Sequence, residues 1–366
     1  MTYIVGWKNE TTGFMVGDSI LTYEKEQPFI KNSISTFKEQ LKSQPGNFQV
    51  EGCNKIFNIN NCVLIGFSTD YVPETVLMLE YIEENLDSAN IRESLLNILP
   101  SKCPEETELI IAFTENDKPV LAKYYLELNE IHDDGMPVHI GSVTDAQNFM
   151  ELSEDICADL ELNKTRADVE LLLISVCTHQ HLIVKNELTT IGAGGIVTGA
   201  MINSQGVYWQ PSTTYVQYVI DIEASNKDAF SEIGIIHLKY FGDAMAYFSS
   251  FIEKRPLRRN SLHRCAPIKG DPKTVKKRYK YIRENSDTDS SDKFLDCPNS
   301  DFFVFFSNQP DFNSKIVIVR NIDRQAFAEI SCLDDNGYYT VTPSEDLLTL
   351  VRKESEGRDV EYIFMN

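Results

Sequence analysis

Apolar residues in the first seventy positions occur in short runs separated by polar, turn-forming residues. Residues 3–7 and 14–16 are two such runs, and the polar segment between them predicts a turn that joins two strands. Two more strands are predicted over residues 55–59 and 62–67. The polar residues 24–50 lie between the two strand pairs and are predicted to form a long insertion or loop with one short helix.

After residue 69 the apolar spacing becomes that of a helix. Apolar residues recur three or four positions apart over residues 72–86, and a second helix is predicted from residue 91 to its end at Pro100. The segments that follow are predicted to be strands at 109–113, 120–128, 195–202 and 207–209 and helices at about 145–160 and 166–177. Strands and helices grouped in blocks predict an α+β fold with helices packed on stacked sheets.

The pattern changes beyond Trp209. A strand is predicted at 215–223, a long amphipathic helix at 229–253, strands at 302–306, 316–319 and 338–341, and a last helix at 346–352. Residues 284–292, rich in Ser and Asp, predict a solvated linker. The sequence therefore predicts four regions: a main domain over 1–222, a helical extension over 223–253, a basic segment with its linker over 254–293, and a small module over 294–366.

Charge narrows the choice of partners. The formal net charge of the 366 residues is −21, which argues against nucleic acid as a ligand of the whole chain. Residues 254–283 are the exception, with twelve Lys or Arg and a single Asp. Aromatic residues are sparse there, so docking onto the acidic body of the same chain is favoured over nucleic-acid binding. A regulatory partner of residues 223–366 stays open as an alternative.

The sequence predicts neither a membrane segment nor a metal site. No apolar run approaches the ~20 residues of a membrane helix, and the first residues do not resemble a signal peptide. The eight cysteines include no C-x-x-C pair, and His179 and His181, two positions apart near the end of a predicted helix, are not favoured as a metal site. We therefore expect a cytoplasmic protein without a metal or cofactor.

The candidate chemistry starts at Met1-Thr2. An initiator Met beside a small residue is readily removed, and its removal exposes a free α-amine on Thr2. The hydroxyl of such a residue can attack a carbonyl carbon while the amine takes its proton. An α-amine has a reference pKa of about 8, which suits a base near neutral pH.

Three ordered motifs surround this terminus, and together they resemble the start of proteasome β-subunits and of their bacterial Anbu-type relatives. These are Thr2-Tyr3-Ile4-Val5-Gly6-Trp7-Lys8, the segment that ends in Gly17-Asp18-Ser19, and the strand that begins Lys55-Ile56-Phe57. The resemblance implies an N-terminal-nucleophile hydrolase with a four-layer αββα sandwich, followed here by a C-terminal extension with a small α/β module. It also implies a homo-oligomer that cleaves peptides or proteins.

The same resemblance implies the site residues. Thr2 would be the nucleophile and, through its amine, the general base. Asp18 would hold Lys55, whose charge would activate the threonine hydroxyl. Ser142 would support the amine, and backbone amides around Ser68 and Thr69 would be the oxyanion donors.

The same residues could also have purely structural roles. Asp18 can cap a turn, Lys55 can be a lysine at a strand edge, and Ser142 can be a helix N-cap. Thr190 and Ala193 stand where the family has an Asp and a Ser. The first hypothesis is therefore a threonine peptidase or amidase. The rival is a catalytically degenerate assembly or sensing protein whose C-terminal extension binds a partner.

Overall fold

The computed structural model describes residues 2–23, 43–44, 47–51, 53–125, 130–133, 137–141, 166–184, 193–220, 230–241, 244–254, 257–267, 300–307, 314–320, 328–332, 339–352 and 360–365. The chain divides into two compact units. The first comprises Met1–Leu182, Asn186–Gln210 and Cys265–Lys277, and the second comprises Ile183–Lys185, Pro211–Arg264 and Arg278–Asn366.

The first unit contains fourteen strands and three helices among its described residues. The strands up to residue 68 are β1 (Tyr3–Lys8), β2 (Gly13–Gly17), β3 (Ile20–Tyr23), β4 (Ser43–Gln44), β5 (Asn47–Glu51), β6 (Cys53–Asn54), β7 (Ile56–Ile59) and β8 (Val63–Ser68). The later elements are α1 (Val72–Asn85), α2 (Ile91–Lys102), β9 (Glu108–Glu115), β10 (Lys118–Tyr125), β11 (Glu130–Asp133), β12 (Val138–Gly141), α3 (Ala167–Val184), β13 (Thr198–Asn203) and β14 (Gly206–Trp209).

Two five-stranded antiparallel sheets carry this unit. One has the order β12-β1-β2-β13-β14 and the other the order β11-β10-β9-β8-β7. Buried apolar residues of both sheets form one shared cluster, which includes Ile4, Met15 and Leu64. The sheets approach closely at Gly66, where an added Cβ would lie 2.6 Å from the sulfur of Met15. A glycine is therefore required at this position for steric reasons.

Helices pack on both sheets. Buried residues of α1 and α2, such as Leu79 and Leu95, join those of β7–β10 in a second apolar cluster. Leu171 of α3 lies against Gly199 of β13, where an added Cβ would be 2.8 Å from the leucine Cδ1. In α1 and α2 the apolar stripe that predicted the helix is thus the face that is buried.

The second unit is built on a mixed sheet. Its elements are β15 (Thr213–Ile220), β16 (Phe230–Phe241), β17 (Ala244–Lys254), β18 (Leu257–Pro267), β19 (Phe302–Ser307), β20 (Ser314–Arg320), β21 (Ala328–Cys332), β22 (Tyr339–Pro343), α4 (Glu345–Arg352) and β23 (Val360–Met365). The sheet order runs β23-β20-β19-β15-β16-β17-β18, with parallel pairing of β15 to β19 and of β20 to β23. Its core includes Val216, Phe303, Val317 and Leu347.

The predicted fold class, a four-layer αββα sandwich with a small α/β module in a C-terminal extension, is wrong for the chain: helices pack on both sheets of the first unit, but the described residues as a whole are mainly strands. Twenty-three strands and only four helices are found among the described residues, and most strands belong to antiparallel sheets. The amphipathic helix predicted over 229–253 is the antiparallel pair β16 and β17. Strands from 294–366 share the sheet of that pair instead of forming a separate α/β module.

Most of the individual strands and helices predicted for the first unit can be compared directly with the structure. The strands predicted near residues 3, 14, 55 and 62 and the helices that start at residues 72, 91 and 166 are confirmed within a few residues. Pro100 lies inside α2, so it does not end the helix as predicted. Residues 43–51 contribute two short strands that pair within a three-stranded sheet. The helix predicted at about 145–160 lies outside the described residues. No described helix is long and apolar enough to cross a lipid bilayer.

Candidate active site

Thr2 lies directly before β1, an inner strand of the first sheet that is paired with β12 on one side and β2 on the other. Its neighbour Tyr3 opposes Gly141 in the antiparallel pair of β1 and β12. Thr2 is 5 % exposed in the chain that retains Met1. The position predicted for the nucleophile is therefore held by regular strand pairing on its C-terminal side.

The Asp18 carboxylate is the centre of the polar contacts next to Thr2. Asp18 directly follows β2 and is fully buried. One carboxylate oxygen, Oδ1, accepts hydrogen bonds from Lys55 Nζ at 2.6 Å and from the N–H of Tyr3 at 2.9 Å. The other, Oδ2, accepts the N–H groups of Gly194 at 3.0 Å and Ile20 at 3.2 Å. One cation and three backbone donors thus replace the water that burial removes from this charge.

Lys55 reaches this carboxylate from the other sheet. It lies between β6 and β7, and its side chain, like that of Asp18, is 0 % exposed. The Lys55 carbonyl accepts the N–H of Phe67, which fixes the lysine backbone to β8. The ion pair therefore joins the two sheets beside Thr2. Burial of an unpaired charge costs several kcal/mol, so each partner of the pair offsets part of the desolvation cost of the other.

The geometry brings the lysine ammonium close to the backbone of Thr2. Lys55 Nζ and the Tyr3 nitrogen share one acceptor atom, so their separation cannot exceed the sum of the two hydrogen-bond lengths. The Tyr3 nitrogen is bonded to the carbonyl carbon of Thr2. The predicted contact of Asp18 with Lys55 is confirmed, and it stands one peptide bond from the predicted nucleophile.

Gly141 packs directly against Thr2. Its φ of +95° is a conformation that L side chains rarely adopt, and an added Cβ would lie 2.0 Å from the Thr2 carbonyl oxygen. Only glycine meets both conditions. The backbone of β12 therefore sets the position of Thr2 from the side opposite to β2.

The predicted oxyanion donors lie where β8 ends. Ser68 is the last residue of β8 and follows Phe67, whose N–H binds the lysine carbonyl. Thr69 shares a 2.8 Å hydrogen bond between its hydroxyl and that of Thr107, and its Oγ1 accepts the N–H of Tyr71. Hydrogen bonds of Phe67 before Ser68 and of the Thr69 side chain therefore hold this segment in place.

Several predicted residues fall elsewhere. Ser142 and Thr190 lie outside the described residues. Ala193 is fully buried and brings no functional group to the site. His179 and His181 lie on α3, and the described part of the chain holds no group of three His, Cys, Asp or Glu side chains suited to a metal ion.

Sequence reasoning missed a second polar network on the far side of Gly141. The Glu108 carboxylate accepts the Gly141 N–H at 2.9 Å and forms a 3.0 Å ion pair with Lys123. His139 is buried on β12, and burial together with the Lys123 charge lowers its pKa to about 4. The one signal that could have pointed here is the run His139-Ile140-Gly141, which directly precedes Ser142 in the sequence.

The second unit holds a buried polar cluster of its own. The hydroxyls of Thr214 and Ser300 lie 2.5 Å apart, and each is within 3.0 Å of Nδ1 of His237. Ser300 and Thr214 are fully buried and His237 is 3 % exposed. We call this trio the hydroxyl–histidine cluster.

Comparison with known proteins does not assign the chain to a family. No protein-family model matches it, and a search of curated proteins finds no match.

Proposed function

We propose that this protein is a threonine-type hydrolase, a peptidase or amidase that acts through an acyl-enzyme on Thr2 after removal of Met1. One observation carries the proposal. The Asp18–Lys55 pair is buried at the first peptide bond after Thr2, and its carboxylate binds the N–H of Tyr3. A buried charge pair is costly for stability alone. Its placement beside a residue that can carry both a hydroxyl and a free amine favours a chemical role.

The reaction begins when the free α-amine of Thr2 takes the proton from its own hydroxyl. The oxygen attacks the substrate carbonyl carbon, and the positive charge of Lys55 stabilises the negative charge that develops on this oxygen. Backbone amides of the Ser68–Thr69 segment would then bind the oxyanion.

Breakdown of the intermediate completes the first half of the reaction. The bond between carbonyl carbon and substrate nitrogen breaks, and the leaving amine takes the proton held by the Thr2 amine. Water then attacks the ester, which releases the acid and restores the hydroxyl. Asp18 holds Lys55 and the Tyr3 amide in place throughout and does not exchange a proton with the substrate.

A peptide epoxyketone tests the proposal, because stable modification by this group requires a hydroxyl and a free amine on the same residue. We expect intact-mass spectrometry to show loss of Met1 and one probe added to the wild type. Thr2→Ala should add none, while its thermal midpoint stays within about 2 °C because one small side chain changes at a chain end. Thr12→Ala, at a buried threonine in the turn after β1, is the matched control and should be labelled like wild type. Equal labelling of Thr2→Ala and wild type would refute the proposal.

A second function is favoured by two specific observations. Ala193 is buried without a functional group where the resembled family has a serine, and Thr2 is only 5 % exposed. These features suit a non-catalytic assembly or sensing protein that binds a partner through residues 223–366. Retained Met1 together with an unlabelled wild type would support this alternative.

Self-assembly and a cytoplasmic site of action belong to the same proposal. Self-assembly is implied by the resemblance to proteasome β-subunits, and the cytoplasmic site is supported by the cysteines, none in a C-x-x-C pair, which suit a reducing compartment. Multi-angle light scattering tests the first, and a defined monomer at all concentrations would contradict it. Fractionation of cells that express the full chain tests the second.

A further inference from the structure

Glu108 occupies a position that links both halves of the candidate site. It is the first residue of β9 and opposes Ser68, the last residue of β8, in the antiparallel pair. Its neighbour Thr107 binds the hydroxyl of Thr69. The strand start that carries Glu108 is therefore fixed to the segment with the candidate oxyanion amides.

The Glu108 carboxylate also crosses to the other sheet. Its Oε2 accepts the N–H of Gly141, and Gly141 packs against the backbone of Thr2. Its Oε1 is held by Lys123 of β10, whose side chain is 15 % exposed. The carboxylate thus has a fixed orientation, with one oxygen bound within its own sheet and the other bound to the strand beside the nucleophile.

Two polar bridges therefore flank Thr2. Lys55–Asp18 connects the sheets on one side, and Glu108–Gly141 connects them on the other. Acyl transfer requires the attacking oxygen and the oxyanion donors at a defined separation, and errors of about 1 Å cost on the order of a hundredfold in rate. A bridge between the segments that carry these two groups controls that separation.

We propose that Glu108 is a positioning residue that sets the distance between Thr2 and the Ser68–Thr69 segment. This inference rests on the proposed function. Glu108 has no contact with the reacting atoms in this scheme and acts through Gly141. An amide oxygen can replace the carboxylate oxygen toward the Gly141 N–H, so the role needs the acceptor more than the charge.

The test compares Glu108→Ala with Glu108→Gln by the kinetics of epoxyketone labelling. Glu108→Ala should lower the rate constant of the covalent step at least about tenfold, with the initial probe affinity within about twofold. Glu108→Gln should stay within about threefold of wild type. Hydrogen–deuterium exchange of peptides covering residues 138–141 should become faster in Glu108→Ala only.

The matched control lies at the other end of the same strand. Glu115 is the last residue of β9 and forms a partly exposed ion pair with Arg92, comparable to that of Glu108 with Lys123. Glu115→Ala should be labelled like wild type. An equal loss in Glu115→Ala, or wild-type labelling of Glu108→Ala, would overturn the inference while the proposed function stands. A wild type that is not labelled would overturn the proposed function and the inference with it.

Discussion

The two units each bury a polar cluster, and the clusters differ in charge. Around Asp18 the groups are an ion pair and three backbone N–H donors. The hydroxyl–histidine cluster consists of two hydroxyls and one imidazole nitrogen, with no side-chain carboxylate or ammonium among its three members. Both are closed to water to a similar degree.

The difference shows what each cluster does. Thr214 of β15 and His237 of β16 oppose each other in the antiparallel register, and Ser300 is two residues from β19, which pairs with β15. The cluster therefore ties neighbouring strands of one sheet, which is a structural role. The Asp18 cluster instead holds a cation one peptide bond from Thr2, the proposed nucleophile. Buried charge beside a nucleophile indicates chemistry, whereas buried neutral groups shared between paired strands indicate stability.

The largest expected effect comes from breaking the charged cluster. Lys55→Ala should lower the free energy of unfolding by about 3 to 5 kcal/mol, because Asp18 would keep a buried charge without its cation. Chemical denaturation measures this loss. Labelling at Thr2 should be abolished, and Lys55→Arg should not restore it fully, since a planar guanidinium cannot replace a compact ammonium in a closed site.

A double variant separates stability from chemistry in that cluster. Asp18→Asn/Lys55→Met leaves no buried charge, so it should regain at least about half of the lost stability and still fail to react with the probe. A destabilised but fully reactive Lys55→Ala variant would show that the charged cluster is no more than structural.

A smaller effect is expected from the buried histidine near Thr2. The pKa of His139 is lowered to about 4 by burial and by the Lys123 charge, from an ordinary value of 6.5. The unfolded chain takes up a proton below pH 6.5 while the folded chain does not until about pH 4, so stability is lost as pH falls through this window. The loss should reach about 2 kcal/mol at pH 5 relative to pH 7.

Urea denaturation at several pH values measures this effect. His139→Gln, which cannot titrate, should lack that part of the pH dependence. An identical pH slope for His139→Gln and wild type would mean that the pKa of His139 is the same in the folded and the unfolded chain, which would contradict the lowered value.

The smallest expected effect comes from the hydroxyl–histidine cluster. Ser300→Ala removes one hydroxyl but leaves Thr214 Oγ1 bonded to His237 Nδ1 at 3.0 Å, so no buried polar atom of the cluster loses every partner. The cost should be about 1 kcal/mol, the net worth of an ordinary hydrogen bond. Labelling at Thr2 should not change. A lost reaction with intact folding would contradict the structural role assigned to this cluster.

The sequence predicted the first unit better than the second, for a physical reason. In α1 the apolar residues recur only at helical spacing, so the sequence predicts that Val76 and Leu79 lie on the same face of a helix. In β16 the residues Ile235, Leu238 and Phe241 fit a helix, yet Ile236 and Leu238 also alternate as in a strand. β-branched and aromatic residues favour the strand there, and pairing with β15 and β17 satisfies its backbone.

Site prediction was limited in a similar way. Motif order was enough to predict the contact of Asp18 with Lys55, because the resembled family places both residues at recognisable strand ends. Nothing in the sequence marked Glu108, a surface-type residue at a strand start whose role depends on a contact with Gly141 thirty-three positions away. Contacts between sheets at this range leave no local pattern in a single sequence.

The bond from the Gly194 N–H to Asp18 spans 176 positions, which has a consequence during protein synthesis. A ribosome that adds about 5 to 20 residues per second needs roughly 10 to 40 seconds after Thr2 to reach Gly194. Until then the Asp18 carboxylate lacks one of its donors and β13 has not paired with β2. The nascent chain thus carries Thr2, the proposed nucleophile, early but completes the shell around Asp18 only after Gly194 has been made.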